Sequence, residues 1–114
     1  MLPAARRLRH RAEFTDAVRQ GQRAGVPGLV AHLLLTPTET PVRVGFVVGR
    51  TVGPAVVRNR VRRRLRHLMA ARLDRLPDGS LLVVRATPAA STATSADLGA
   101  ALDRLLDRIA PVPA

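Results

Sequence analysis

The chain has 114 residues, of which 19 are Arg, none is Lys and 8 are acidic, so its formal charge is +11. An excess that large points to a polyanionic partner, while 46 % apolar residues suffice for a core and for one domain spanning 1–114. Without Cys there can be no disulfide framework, thiolate zinc site or thiol catalysis, and no apolar run has signal or membrane length, so a cytoplasmic protein with no membrane partner is expected.

Arg6 to Arg11 reads as a basic arm, free to move, ahead of a short helix from Ala12 to Gln20 in which Phe14, Ala17 and Val18 share a face. Gln22 to Gly25 can add a short leading strand. Val30 to Thr36 has the composition of a buried strand, Pro37 to Pro41 that of a turn, and Val42 to Val48 is predicted as the other arm of a long hairpin. Gly53-Pro54 opens a second helix, since proline at a helix start loses no hydrogen bond. Along it Val57, Val61, Leu65, Leu68 and Leu76 recur at helical spacing and can share one core-facing arc. Pro77-Asp78-Gly79 is a turn, and Leu81 to Val84 is a strand apolar on both faces that belongs inside the sheet. Thr87 to Ala93 reads as a loop. Thr94 or Ser95 then caps a last helix whose stripe is Leu98, Leu102, Leu105 and Ile109 and whose outward Asp103, Arg104, Asp107 and Arg108 mix signs as a solvated face does. The order helix, two or three strands, helix, strand, helix predicts an α+β fold with helices packed on a small sheet.

Charge is unevenly placed. Through Arg75 there are 16 Arg against four acids; from Leu76 onward three Arg face four Asp. Eight Arg lie from Arg50 to Arg72 with no acid in between until Asp74. The outer arc of the second helix therefore carries Asn59, Arg60, Arg62, Arg63, Arg66 and His67 with no carboxylate to pair with, a repulsion that a bound polyanion relieves. Guanidinium is planar, permanently charged and bidentate toward phosphate, so nucleic acid is the favoured partner.

Nothing in the pattern suggests a protein active site. His10, His32 and His67 lack partners at metal-ligand or triad spacing, Asp103 and Asp107 each have an Arg beside them, and Gly45, Gly49 and Gly53 form no phosphate loop. Phe14 and Phe46 are the only aromatic rings, which disfavours an RNA-recognition sheet built on several exposed rings. Phe46 reads as core. Phe14 suits either a staple between the first helix and the sheet or the edge of a groove, and His32 reads as a half-buried polar tip.

The stretch Arg43 to Arg66, with its Val44-Gly45-Phe46-Val47-Val48-Gly49 strand, its glycine turn and then Arg58-Asn59-Arg60, closely resembles the signature of the bacterial ribonuclease P protein family. Arg7-Leu8, Phe14, Gly21 and Leu81 to Arg85 followed by Pro88-Ala89 extend the resemblance over essentially the whole chain. It implies a two-layer α/β sandwich: a mostly antiparallel sheet of about four strands in α-β-β-β-α-β-α order, with a left-handed crossover at the RNR helix, against the general handedness rule. It also implies a subunit that binds a catalytic RNA and precursor tRNA and promotes magnesium-dependent removal of the 5′ leader, with the metal held mainly by the RNA and no obligate protein partner. Arg58, Asn59, Arg60, Arg62, Arg63 and Arg66 match the positions facing the catalytic RNA. Phe14, Val18, Val30 and His32 match the cleft for single-stranded leader. The sequence departs from the family at Gly49-Arg50, where Ser-Lys is common, at Pro54, often Asn, and at Val18 and His32, where larger rings often occur. A general RNA-binding or ribosome-associated protein and a stand-alone nuclease are the competing readings; the second needs a carboxylate or His constellation that the sequence lacks.

Overall fold

The computed structural model describes residues 2–109. Among them are three helices, α1 (Arg11–Gln20), α2 (Ala55–Ala70) and α3 (Ser95–Ile109), and four strands, β1 (Gln22–Val26), β2 (Leu29–Leu35), β3 (Arg43–Val47) and β4 (Ser80–Ala86). The architecture is α+β and the sheet is mixed. Its order is β1-β2-β4-β3, with β1–β2 and β2–β4 antiparallel and β3–β4 parallel.

The expected hairpin between β2 and β3 does not form. β4 lies between them, as its two apolar faces require: Leu82, Val84 and Ala86 join the main core, and Leu81 and Val83 join a smaller one on the reverse face. The residues between β2 and β3 instead fold over the turn that leads into β4. Thr36 N–H donates to Gly79 O at 3.0 Å and Gly79 N–H to Thr40 O at 2.6 Å. Gly79 has φ +86°, and a Cβ there would stand 2.6 Å from the carbonyl oxygens of Thr36 and Thr38, so only glycine fits. The parallel partner of β4 then has to arrive through a crossover, and α2 is that crossover.

Side chains alternate across the sheet, so α2 and α3 bury Leu29, Ala31, Leu33, Val44, Leu82 and Val84 on one face while α1 covers Leu81 and Val83 on the other. α3 starts at a capping box: Asp97 N–H donates to Thr94 Oγ1, and Thr94 N–H to Asp97 Oδ2, both at 3.1 Å. Its stripe, Leu98, Leu102, Leu105 and Ile109, is buried together with Ala101 and Leu106. The outward Asp103 and Asp107 do more than meet solvent. Arg72 reaches Asp103 at 2.8 Å, and Arg75 binds both Asp103 and Asp107, tying the end of α2 to α3. Hydrogen bonding from Arg72, with the charges of Arg72 and Arg75, holds the Asp103 carboxyl below its ordinary range.

The segment read as a basic arm contributes a core residue, Leu8, and the stretch ahead of it a second, Leu2. It runs beside the outer edge of β3, where Arg7 pairs with Val44 and Leu8 N–H donates to Val44 O at 3.0 Å. No helix is long and apolar enough to cross a membrane among the described residues.

Candidate nucleic-acid interface

Helix α2 presents three different faces. Val61, Leu65 and Met69 are fully buried, flanked by partly buried Val57 and Leu68. Leu76, expected on the same arc, is buried too, but it lies beyond the helix, which ends at Ala70 and is followed by a 3-10 turn at Leu73–Arg75. Met69 takes the core position that the spacing had left out.

A second face grips the chain that leads into α3. Arg60 Nη2 donates to Ser91 O at 2.9 Å and Arg64 Nη1 to Ala93 O at 3.1 Å, one helical turn apart. The segment Pro88–Thr92, read as loop, is a 3-10 turn held at that spot. Arg60 thus sits on the opposite flank of the helix from Arg58, although both belong to one short motif.

The third face is the open one. Asn59, Arg62, Arg63, Arg66 and His67 line a shallow groove of about 410 Å³. Within it Arg62 Nη1 donates to Asn59 Oδ1 at 3.1 Å, and no acidic side chain lies along the helix. Arg58, Arg60 and Arg66 each keep a buried Nε–H with no partner among the described residues, donors of a kind that a phosphate oxygen satisfies. Burial, with the charges of Arg7 and Arg62, lowers the Arg66 guanidinium from its usual value, so this corner concentrates like charge.

Around the β3 edge the cationic surface continues. Arg7, Arg9 and Arg66 line a pocket there with Phe14 and Phe46, whose rings pack on opposite faces of the sheet. Phe14 acts as the staple: its ring occupies the space where a side chain on Gly45 would stand, and it packs with Leu8, Ala17, Leu81 and Val83. The bidentate pair of Arg43 with Glu13, at 2.6 and 3.1 Å, fixes the same end of α1 to β3.

Val30 and His32 occupy successive positions on the α1 side of β2 and are both buried, whereas Val18 on α1 is 49 % exposed. Phe14 stands over β3, two strands away from them. His32 is buried more deeply than a polar tip, and its Nδ1 has no partner among the described residues. Burial first, then the charges of Arg23 and Arg85, lower its pKa and hold it neutral. Arg23 was not singled out by the sequence pattern, and Arg7 and Arg85 entered it only through the family resemblance. Arg85 had one visible sign, as the lone charged residue in a largely apolar strand. Among the described residues no three His, Asp or Glu side chains gather to hold a metal ion.

The family model for ribonuclease P matches residues 2–110 of this chain. Proteins named ribonuclease P protein component are similar to it throughout: that of Streptomyces bikiniensis is 52 % identical, covering 96 % of this chain and 95 % of its own length. That of a Nocardioides species is 51 % identical over the same shares. Among solved structures, the RNase P protein of Staphylococcus aureus superposes with a TM-score of 0.83 at 21 % identity, covering 91 % of this chain and 94 % of that one. The Thermotoga maritima RNase P protein gives a TM-score of 0.79 at 26 % identity, with 92 % and 98 % covered.

Proposed function

The chain belongs to the bacterial ribonuclease P protein family, and on that premise we propose that it binds the catalytic RNA through the open face of α2 and the 5′ leader of precursor tRNA in the cleft between α1 and the sheet. The observation that carries this is the groove of Asn59, Arg62, Arg63, Arg66 and His67, where cations crowd with no carboxylate to neutralise them. A structured RNA backbone relieves that repulsion and satisfies the spare Nε–H donors of Arg58 and Arg66. In this reading the ribonucleoprotein works in the cytoplasm, the RNA supplies the phosphodiester chemistry and the magnesium ions, and the protein supplies affinity and position. Arg60 takes part by holding the Pro88–Thr92 turn beside that face.

Cleavage of a precursor tRNA at low magnesium tests the reading, with catalytic RNA alone, protein alone and the mixture compared. Stimulation in the mixture only, weakened by Arg63→Ala, is the expected outcome. Cleavage by protein alone would establish a stand-alone nuclease, and a mixture no faster than RNA alone would leave a general RNA-binding protein.

A further inference from the structure

α1 covers the sheet obliquely. Its Phe14 end closes over Gly45 on β3, and its Gly21 end abuts the Leu33 carbonyl on β2. Beyond it lies the cross-strand row Gly25, Val30, Arg85 and Val47, one residue from each strand on the same face. Val30 is buried, while Gly25, Arg85 and Val47 are exposed. A Cβ on Gly25 would meet only Val30 Cγ2, at 3.9 Å, so the space above that end of the sheet is open.

Two arginines flank β2 there. Arg23 is the direct partner of His32 from β1, and Arg85 is the direct partner of Val30 from β4. Two strand spacings across the sheet and two residues along β2 put their backbones about 12 Å apart. Both are exposed, and neither makes an ion pair or side-chain hydrogen bond among the described residues. The neutral His32 between them is flanked by cation on both sides. No Phe ring stands on this face at this end of the sheet, since Phe14 lies over Gly45 and Phe46 packs into the main core on the other face.

We infer that Arg23 and Arg85 form a second phosphate-binding pair, separate from the arginine helix, that straddles β2 and holds the backbone of single-stranded RNA across the open end of the sheet. The inference rests on the cleft reading above and deepens it: what secures the leader at this end is charge on its phosphates, in place of stacked bases. Guanidinium suits the task because it contacts phosphate bidentately and asks nothing of the base sequence.

The test uses the complex reconstituted with catalytic RNA. Affinities for a precursor tRNA and for the same tRNA without leader are measured across a salt series, for the natural chain, for Arg23→Ala/Arg85→Ala and for Arg23→Lys/Arg85→Lys. The natural chain is expected to favour the leader-bearing tRNA. The alanine pair is expected to reduce the salt slope for that substrate by about 1.4 and the leader-dependent affinity roughly tenfold near 0.15 M salt, from a contribution of about 0.7 per single-strand phosphate contact. The lysine pair keeps most of the slope. Unchanged thermal melting shows that both variants fold. If the alanine pair retains slope and preference, the pair is wrong while the cleft stands; if it weakens both tRNAs equally, the contact is with the tRNA body and the inference fails. A natural chain with no preference for the leader would overturn the cleft reading, and the pair with it.

Discussion

Gly45 shows how one missing side chain sets the position of a helix. The Phe14 ring fills the space above it, and Leu8 Cβ stands 3.1 Å from where a Cβ would be. Gly45→Ala must push the ring aside, at a cost of about 1–3 kcal/mol. Phe14→Ala removes the obstacle, so the double variant is expected to lose less than the two single losses combined, which denaturant unfolding of all three measures. His32 gives a second check, through pH. Its folded pKa lies below the unfolded value of 6.5, so the unfolded state takes up the proton first and stability falls as pH drops below 6.5, levelling off once the pH is under the folded pKa. His32→Gln is expected to remove that part of the acid sensitivity, seen as melting temperature against pH. Both residues were visible in the sequence as candidates, yet their settings were not. Which side chain faces Phe14 depends on strand pairing, and the burial of His32 depends on β4 lying beside β2.

For the elements, periodicity gave most of what the chain contains. The stripe of α3 is buried as spaced, and the double apolar character of Leu81 to Val84 marked the central strand correctly. What the pattern could not supply was sheet order. Pro37 to Pro41 has the composition of a hairpin turn, and only the Thr36 and Thr40 bonds to Gly79 show that it folds over the β4 entry instead. The faces of α2 were legible in the same partial way. A run of Arg without acids announced a cationic helix, but a wheel drawn from sequence cannot tell a guanidinium that meets solvent from one that meets a backbone carbonyl. The distinction is testable. Arg60→Ala loses a charged donor to Ser91 O and is expected to cost roughly 1–3 kcal/mol of stability, whereas Arg63→Ala stays within about 0.5 kcal/mol and chiefly weakens binding to the catalytic RNA. Thermal melting beside RNA affinity separates the two. Equal melting temperatures would show that the grip on the 3-10 turn carries no weight.

Across the whole molecule, charge is sorted by use. Half of the eight acids brace the structure: Glu13 against Arg43, Asp97 in the cap of α3, and Asp103 and Asp107 against Arg72 and Arg75. Most cations left over lie on α2, along the β3 edge and at the open end of the sheet, the surfaces proposed above to take RNA. The order in which the sheet can be assembled follows from its central strand. β4 is made late, yet β2 and β3 both depend on it, and partners such as His32 and Val83 are half a chain apart. During synthesis β1 and β2 can pair alone, but β3 and the arginine helix have no sheet to close on until Ala86 has emerged. The cationic helix, complete at Ala70, is therefore unanchored until the strand that ends at Ala86 has been made. Non-local pairing of this kind slows folding, so the nascent chain has an interval in which RNA can reach α2 before the fold is complete.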